Sequence, residues 1–216
     1  MKRFLILAFC LIALSFSCTK YPDGGAPHTD RKGRDTAPLI NRPIPEHTLE
    51  AYYGGRITRI NLSDYRGKWL VLFFYPADFT FVCPTELKEL ADNYPEFKKV
   101  GAEIASVSTD SVYVHRAWHG QNNLVKAVTY PMLSDRSGRL CRSLGVYDEE
   151  AGTALRASFI VSPEGAIMAY EVHHDSIGRN ADELLRTVSA AAAVRAGGGG
   201  SCPAGWKPGE TLIHPE

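Results

Sequence analysis

The amino-acid sequence predicts a mixed α/β domain over residues 39–196, followed by a flexible C-terminal arm. Three features predict it. Trp69–Tyr75 is an unbroken apolar run, as expected of a central strand buried on both faces. Stretches with helical spacing alternate with short strand-like stretches around it. Ser162-Pro163-Glu164-Gly165 is a turn signal between two apolar segments, which makes a hairpin.

The elements follow in order. Pro43, Pro45 and the Gly54-Gly55 pair interrupt the start of the domain. The strand Trp69–Tyr75 comes next, after the turn-like Asp64-Tyr65-Arg66-Gly67-Lys68. Pro84–Lys99 carries Leu87, Leu90, Ala91, Tyr94 and Phe97 at helical spacing. Pro84 suits a first helical turn, and Pro95 predicts a kink. Glu103–Ser108 reads as a second strand, Ser111–Gly120 as a helix, Tyr130–Ser134 as a short strand and Arg139–Gly145 as helical. Ala157–Val161 and Ala166–Val172 are the arms of the hairpin. Asn180–Ala196 is a helix, with Asp182 and Glu183 favouring the dipole in its first turn. Gly197-Gly198-Gly199-Gly200 ends the domain, so residues 197–216 read as an arm outside its core.

Composition narrows the function. The chain has 216 residues, a formal net charge of +0, 44% hydrophobic and 22% charged residues. That balance argues against a disordered chain and against a nucleic-acid binder. The five cysteines are too few for a disulfide-dense scaffold, and none form a C-x-x-C pair. A zinc ribbon and a thioredoxin-type dithiol are both disfavoured. No metal or cofactor is called for.

The N-terminus reads Met1-Lys2-Arg3, then an almost wholly apolar stretch from Phe4 to Phe16. Two positive charges before such a run mark a secretory signal, shorter than the roughly 18–20 residues that span a bilayer. Its end, Ser15-Phe16-Ser17-Cys18, resembles a bacterial lipoprotein signal in which the new terminal cysteine is acylated. Residues 1–17 would then be removed and Cys18 lipidated, holding the protein to a membrane on the periplasmic side of a bacterial envelope. Ordinary cleavage near Ser17 and an uncleaved anchor are the alternatives. Residues 18–38 are polar, rich in Pro and Gly, and read as a flexible tether.

Cys83 stands after the buried strand and just before a helix. A thiol there faces unpaired N–H groups and the positive end of the dipole, both of which favour thiolate. Lowering a cysteine pKa from about 8.5 to about 6 takes roughly 3.4 kcal/mol. A helix end supplies at most about 2 kcal/mol, so strong activation requires a nearby cation. From context alone, an activated thiol and an inert buried one stand level.

Phe73-Phe74-Tyr75-Pro76-Ala77-Asp78-Phe79-Thr80-Phe81-Val82-Cys83-Pro84-Thr85-Glu86-Leu87 resembles the active-site segment of typical 2-Cys peroxiredoxins. The likeness continues in Leu133-Ser134-Asp135, Leu155-Arg156-Ala157-Ser158-Phe159-Ile160, Gly178-Arg179-Asn180 and Cys202-Pro203-Ala204-Gly205-Trp206. The resemblance implies a thioredoxin fold and a thiol-dependent peroxidase acting on hydrogen peroxide and organic hydroperoxides. It implies that Cys83 attacks the O–O bond and becomes a sulfenic acid. Pro76 would shield that intermediate, and the Thr80 hydroxyl would bond the thiolate. Arg156 would be the missing cation, oriented by an ion network of Glu86 and Arg179. Cys202 would resolve the sulfenic acid as a disulfide between subunits of a homodimer, within a decamer in some members. A thioredoxin-like protein or a flavoprotein disulfide reductase would return the electrons. A peroxide sensor or holdase chaperone using the same cysteine is the alternative function.

Departures from the family carry expectations of their own. Peroxide-sensitive members have a Gly-Gly-Leu-Gly segment, where this chain reads Asn122-Asn123-Leu124-Val125, and a C-terminal Tyr-Phe pair that is not found here. Resistance to overoxidation is the expectation. Cys141 has no role in the family and reads as a structural or semi-exposed thiol. His115 and His119 have i,i+4 spacing, which suits a metal, but lie in a helix resembling one in which such residues pack or face solvent.

Overall fold

The computed structural model describes residues 38–215. The export segment, Cys10 and Cys18 lie outside the described residues. The strands are β1 (Thr48–Tyr53), β2 (Arg56–Asn61), β3 (Trp69–Phe74), β4 (Ala102–Ser108), β5 (Met132–Ser134), β6 (Tyr147–Asp148), β7 (Thr153–Ala154), β8 (Arg156–Val161) and β9 (Ile167–His173). The α-helices are α1 (Cys83–Lys99), α2 (Val112–Gln121), α3 (Arg139–Ser143) and α4 (Ala181–Ala196).

Seven strands form one sheet in the order β2-β1-β5-β4-β3-β8-β9, and β6-β7 is a separate ribbon. β3, β4 and β5 run parallel, while β8 pairs antiparallel with β3 and β9 with β8. Every residue of β3 is buried, because its two faces feed two cores. Leu70, Leu72 and Phe74 pack with Leu133, Leu140, Phe159 and Val161 on one side. Trp69, Val71 and Phe73 pack with Leu87, Leu90, Phe97, Trp118, Leu184 and Val188 of α1, α2 and α4 on the other.

Several boundaries move for local reasons. Ser111 and Asn180 were expected inside helices but are their N-caps, accepting bonds from Val114 and Glu183 N–H. Pro131 has no N–H to offer a ladder, so the strand predicted from Tyr130 begins at Met132. Helix α1 runs through Pro95 without a break. No element was assigned to residues 48–61, yet β1 and β2 form a hairpin there. Its two-residue turn is Gly54-Gly55, with φ of 57° and 78°. Positive φ at both positions is the turn geometry that matches strand twist, so the glycines join two strands rather than interrupt them.

The arm is more ordered than its glycines suggest. Ser201 and Ile213 exchange two backbone hydrogen bonds at 2.8 and 2.9 Å. Trp206 is buried, its Nε1–H donating to the Glu210 carbonyl, and its own carbonyl accepts from Arg186 of α4.

Candidate active site

Cys83 is the first residue of α1, with Pro84 behind it where a missing N–H costs nothing. Its Sγ lies 3.7 Å from Arg156 Nη1, and it is 1% exposed. The two residues are 73 positions apart. The fold joins them because β8 lies directly beside β3, whose C-terminal end leads to α1. Pro76, Thr80, Phe81, Val82, Cys83, Arg156 and Asp175 line an open cleft of about 250 Å³ over the sulfur.

Arg156 is held from three directions. Its Nη1 donates to Glu86 Oε2 as well as reaching Cys83, and its Nε and Nη2 donate to the Asp175 carbonyl at 3.2 and 2.8 Å. Glu86 also accepts from Arg179, from the backbone N–H at 2.8 Å, Nε at 3.0 Å and Nη2 at 3.2 Å. Arg179 Nη1 donates to the Ala157 carbonyl and Ser158 Oγ, and its guanidinium lies 3.3 Å from the Phe73 ring centroid. Burial pushes the Arg179 guanidinium below its usual value, and Glu86 opposes that shift. Thus Arg156, Glu86 and Arg179 form a buried ion network.

Thr80 is placed differently from its expectation. Its hydroxyl donates to the Ala77 carbonyl at 2.9 Å, so the proton offered in sequence to the sulfur is engaged by the loop. It still lines the cleft beside Cys83. Cys202 is not beside Cys83 at all. Its Sγ points to the Ala190 carbonyl of α4 at 3.6 Å, and both thiols are free. Cys141 is fully buried, its N–H donating to Asp135 Oδ2, and burial pushes its thiol up. It is structural rather than semi-exposed.

Sequence reading missed a second buried network under the cleft. Asp78 accepts from Tyr75 Oη at 2.7 Å and meets His115 Nδ1 at 2.8 Å, and its N–H donates to Asp110 Oδ2. Burial pushes the Asp78 carboxyl up, opposed by His115. His115 Nε2 reaches the Leu133 carbonyl. The loop from Pro76 to Thr80 is thereby tied to α2 and β5. Phe79 in that loop has φ of 57°, and its ring centroid lies 6.0 Å from that of Trp118 with the planes tilted by 41°. No sequence period links Asp78 to a histidine 37 positions away. The His115–His119 spacing does not make a metal pair, because His119 bonds the Val128 carbonyl instead. Neither residue is a simple surface histidine.

Known proteins match the same span. The AhpC/TSA family model covers residues 40–170. The chain is 45% identical over 177 residues to alkyl hydroperoxide reductase C of Salmonella typhimurium, covering 82% of this chain and 95% of that protein. It is 44% identical to a selenocysteine-containing peroxiredoxin of Peptoclostridium acidaminophilum, over 82% of this chain and 89% of the other. Among solved structures, Enterococcus faecalis AhpC aligns at a TM-score of 0.75 and 47% identity, over 77% of this chain and all of that one. A reduced 2-Cys peroxiredoxin of Plasmodium vivax aligns at 0.78 and 29% identity, over 82% and 93%. The sheet with its flanking helices is therefore a thioredoxin fold, and with a thiol at the start of α1 facing a buried arginine the chain belongs to the AhpC/TSA family, as a peroxiredoxin of the typical 2-Cys kind.

Proposed function

We infer that Cys83 is the peroxidatic thiol of this thiol-dependent peroxidase. The single observation that carries this is the Arg156 guanidinium shared between Cys83 Sγ and Glu86 at the floor of an open cleft. A guanidinium and a helix N-terminus both favour negative charge on sulfur. The thiolate attacks the terminal oxygen of a hydroperoxide. An S–O bond forms, the O–O bond breaks, and water or an alcohol leaves after taking up a proton. Arg156 stabilises charge on the oxygens as the bond breaks, while Glu86 and Arg179 hold it in place. Pro76 and Thr80 shape the cleft and limit water at the sulfur.

Cys202 is the resolving thiol in this reading. It condenses with the Cys83 sulfenic acid, forming a disulfide and releasing water. The resemblance to typical 2-Cys members implies that the bond joins subunits of a homodimer, with a decamer as the larger assembly. The first turn of α1 must unwind and the arm must leave α4 for the sulfurs to meet. A thioredoxin-like or flavoprotein disulfide reductase then returns the electrons. Export and acylation of Cys18, on the grounds of the lipoprotein-like segment, would place the enzyme on an envelope membrane. A peroxide sensor or holdase would use the same Cys83 without requiring turnover.

The test is peroxide consumption with a dithiol reductant. Cys83→Ser should abolish it, and Cys202→Ser should stop turnover with a protein reductant while leaving one peroxide reduced per Cys83. Stoichiometric oxidation without turnover in the wild type would favour the sensor. Acylation is checked by the intact mass of the membrane-extracted protein, which should exceed that of the unmodified chain beginning at Cys18 by the mass of the acyl groups.

A further inference from the structure

The loop over Cys83 contains a strained backbone. Among the described residues, only Asn41 and Phe79 have a positive φ without being glycine, and Phe79 stands at 57°. Asparagine takes this conformation readily, whereas a bulky aromatic residue does not. The Phe79 side chain is 55% exposed, so burial of its ring does not fix the backbone. Its neighbours are fixed instead. Thr80 Oγ1 donates to the Ala77 carbonyl across the turn. Asp78 is held through its N–H by Asp110 Oδ2 at 2.9 Å, and through its carboxyl by Tyr75 Oη and His115 Nδ1.

Helix α2 meets two consecutive residues of this turn. His115 and Trp118 are three apart on α2, hence on one face. His115 bonds Asp78, and the Trp118 ring faces that of Phe79. His115 is itself fixed from behind. Its Nε2 faces the Leu133 carbonyl at 3.2 Å and so carries a proton, because a carbonyl only accepts. Nδ1 and Asp78 Oδ2 share one further proton, and the bond between them persists whichever atom carries it. The Trp118 ring also lies 6.0 Å from that of Tyr75, the residue before Pro76. Pro76 and Thr80 both line the cleft with Cys83 and Arg156. Only three residues separate them, so the φ of Phe79 sets how the Thr80 side of the cleft stands relative to the Pro76 side.

We propose that Tyr75, Asp78 and His115 are positioning residues for peroxide reduction, holding the turn with Phe79 in the left-handed region and so keeping Pro76 and Thr80 in place over Cys83. The proposal rests on Cys83 being the peroxidatic thiol. Strained backbone persists only where its surroundings over-determine it, and it clusters at active sites. Here the surroundings are a hydrogen-bond network beneath the cleft, and none of these three side chains lines it. Loosening the network lets Phe79 relax to negative φ and shifts the cleft wall. The sulfur keeps its arginine and its helix start, which belong to β8 and α1. The approach of peroxide therefore suffers while the thiolate does not.

The experiment compares two rates at Cys83 in the reduced full-length protein, both read by mass on the Cys83 peptide: alkylation by iodoacetamide and oxidation by hydrogen peroxide. Tyr75→Phe and His115→Asn each remove bonds that hold the turn. Each should slow oxidation roughly 3- to 10-fold while alkylation stays within about 2-fold of wild type. Adding Phe79→Gly to either variant should restore most of the oxidation rate, because glycine adopts a positive φ without help. Adding Phe79→Val should slow oxidation further, because a β-branched residue stays apolar beside Trp118 but resists that φ. Circular dichroism confirms that each protein is folded. Tyr75→Phe, which removes a single hydroxyl, carries the test alone if His115→Asn does not fold. Wild-type oxidation rates in the loosened variants, or equal effects of Phe79→Gly and Phe79→Val, overturn the proposal. An equal fall in alkylation does so too, because it places the loss in the thiolate. A wild-type Cys83 that hydrogen peroxide does not oxidise would overturn the functional reading, and the proposal with it.

Discussion

Among the described residues, Glu86 is the one carboxylate that pairs with both arginines of the site, and it is 3% exposed. Removing its charge leaves two buried guanidiniums pressed together without a counterion. Breaking one partner of a buried pair costs about 3–5 kcal/mol. Glu86→Gln should therefore lower the urea midpoint by a corresponding amount at unchanged slope, and slow peroxide reduction as Arg156 loses its brace. Arg156→Ala acts on the chemistry directly and should cost roughly 10²–10³-fold in turnover. Near-normal peroxide turnover in that variant would remove Arg156 from the site. Asp78 gives a pH test of opposite character. Burial holds its folded pKa above the ordinary aspartate value. Its contribution to stability is thus fully present below that value and is lost as pH rises through the folded value. Asp78→Asn should compare less unfavourably with wild type at pH 7 than at pH 4 in denaturant titrations. The reverse ordering would mean that His115 dominates the pair. Among these residues the motif around Cys83 was legible in sequence, whereas Asp78 and His115 were not. Their partnership depends on α2 lying under the loop.

The elements differ in how openly the sequence announces them. β3 is a continuous apolar run because two cores need its two faces, and α1 shows its buried stripe at Leu87, Leu90 and Phe97. The β1–β2 hairpin hid behind its glycines. β2 is largely exposed and carries Arg56 and Arg59, so it lacks the apolar alternation that marks a strand. Its turn is testable. Gly55→Val places a β-branched residue at positive φ and should destabilise the fold by about 1–2 kcal/mol, while Gly54→Asn, which suits this turn, should be tolerated. Peroxidase activity of the folded Gly55→Val protein should be retained, because the hairpin lies at the far side of the sheet from β8. A loss of activity at full folding would connect the hairpin to the site. β8 shows a smaller displacement with a larger effect. The strand begins at Arg156, one residue before the predicted start, and that residue places the guanidinium within the ladder opposite His173.

At the scale of the whole molecule, Cys83 and Cys202 occupy different environments. Cys83 is enclosed at the start of α1, and Cys202 is held against α4 by an arm anchored on Trp206. Trp206→Ala removes that anchor. It should raise the alkylation rate of Cys202 several-fold and leave the alkylation rate of Cys83 close to wild type. Equal protection of Cys202 in the variant would show that the arm is held by other contacts. Peroxide treatment followed by nonreducing electrophoresis should give a covalent dimer that Cys202→Ser eliminates.

The sequence by itself determined the mixed α/β class, the central strand, the principal helices and a cysteine placed at a helix start, whose role as nucleophile came only through the family resemblance. These are properties of short windows, where periodicity, turn residues and local spacing carry the information. It also supplied the arginines and Glu86, but only through resemblance to a family. Tertiary structure decided which charges meet. The Glu86–Arg156–Arg179 contacts and the Asp78–His115 bond each join residues on different elements. Such contacts depend on sheet order and register, which place β8 between β3 and β9 and so bring distant charges into one low-dielectric space.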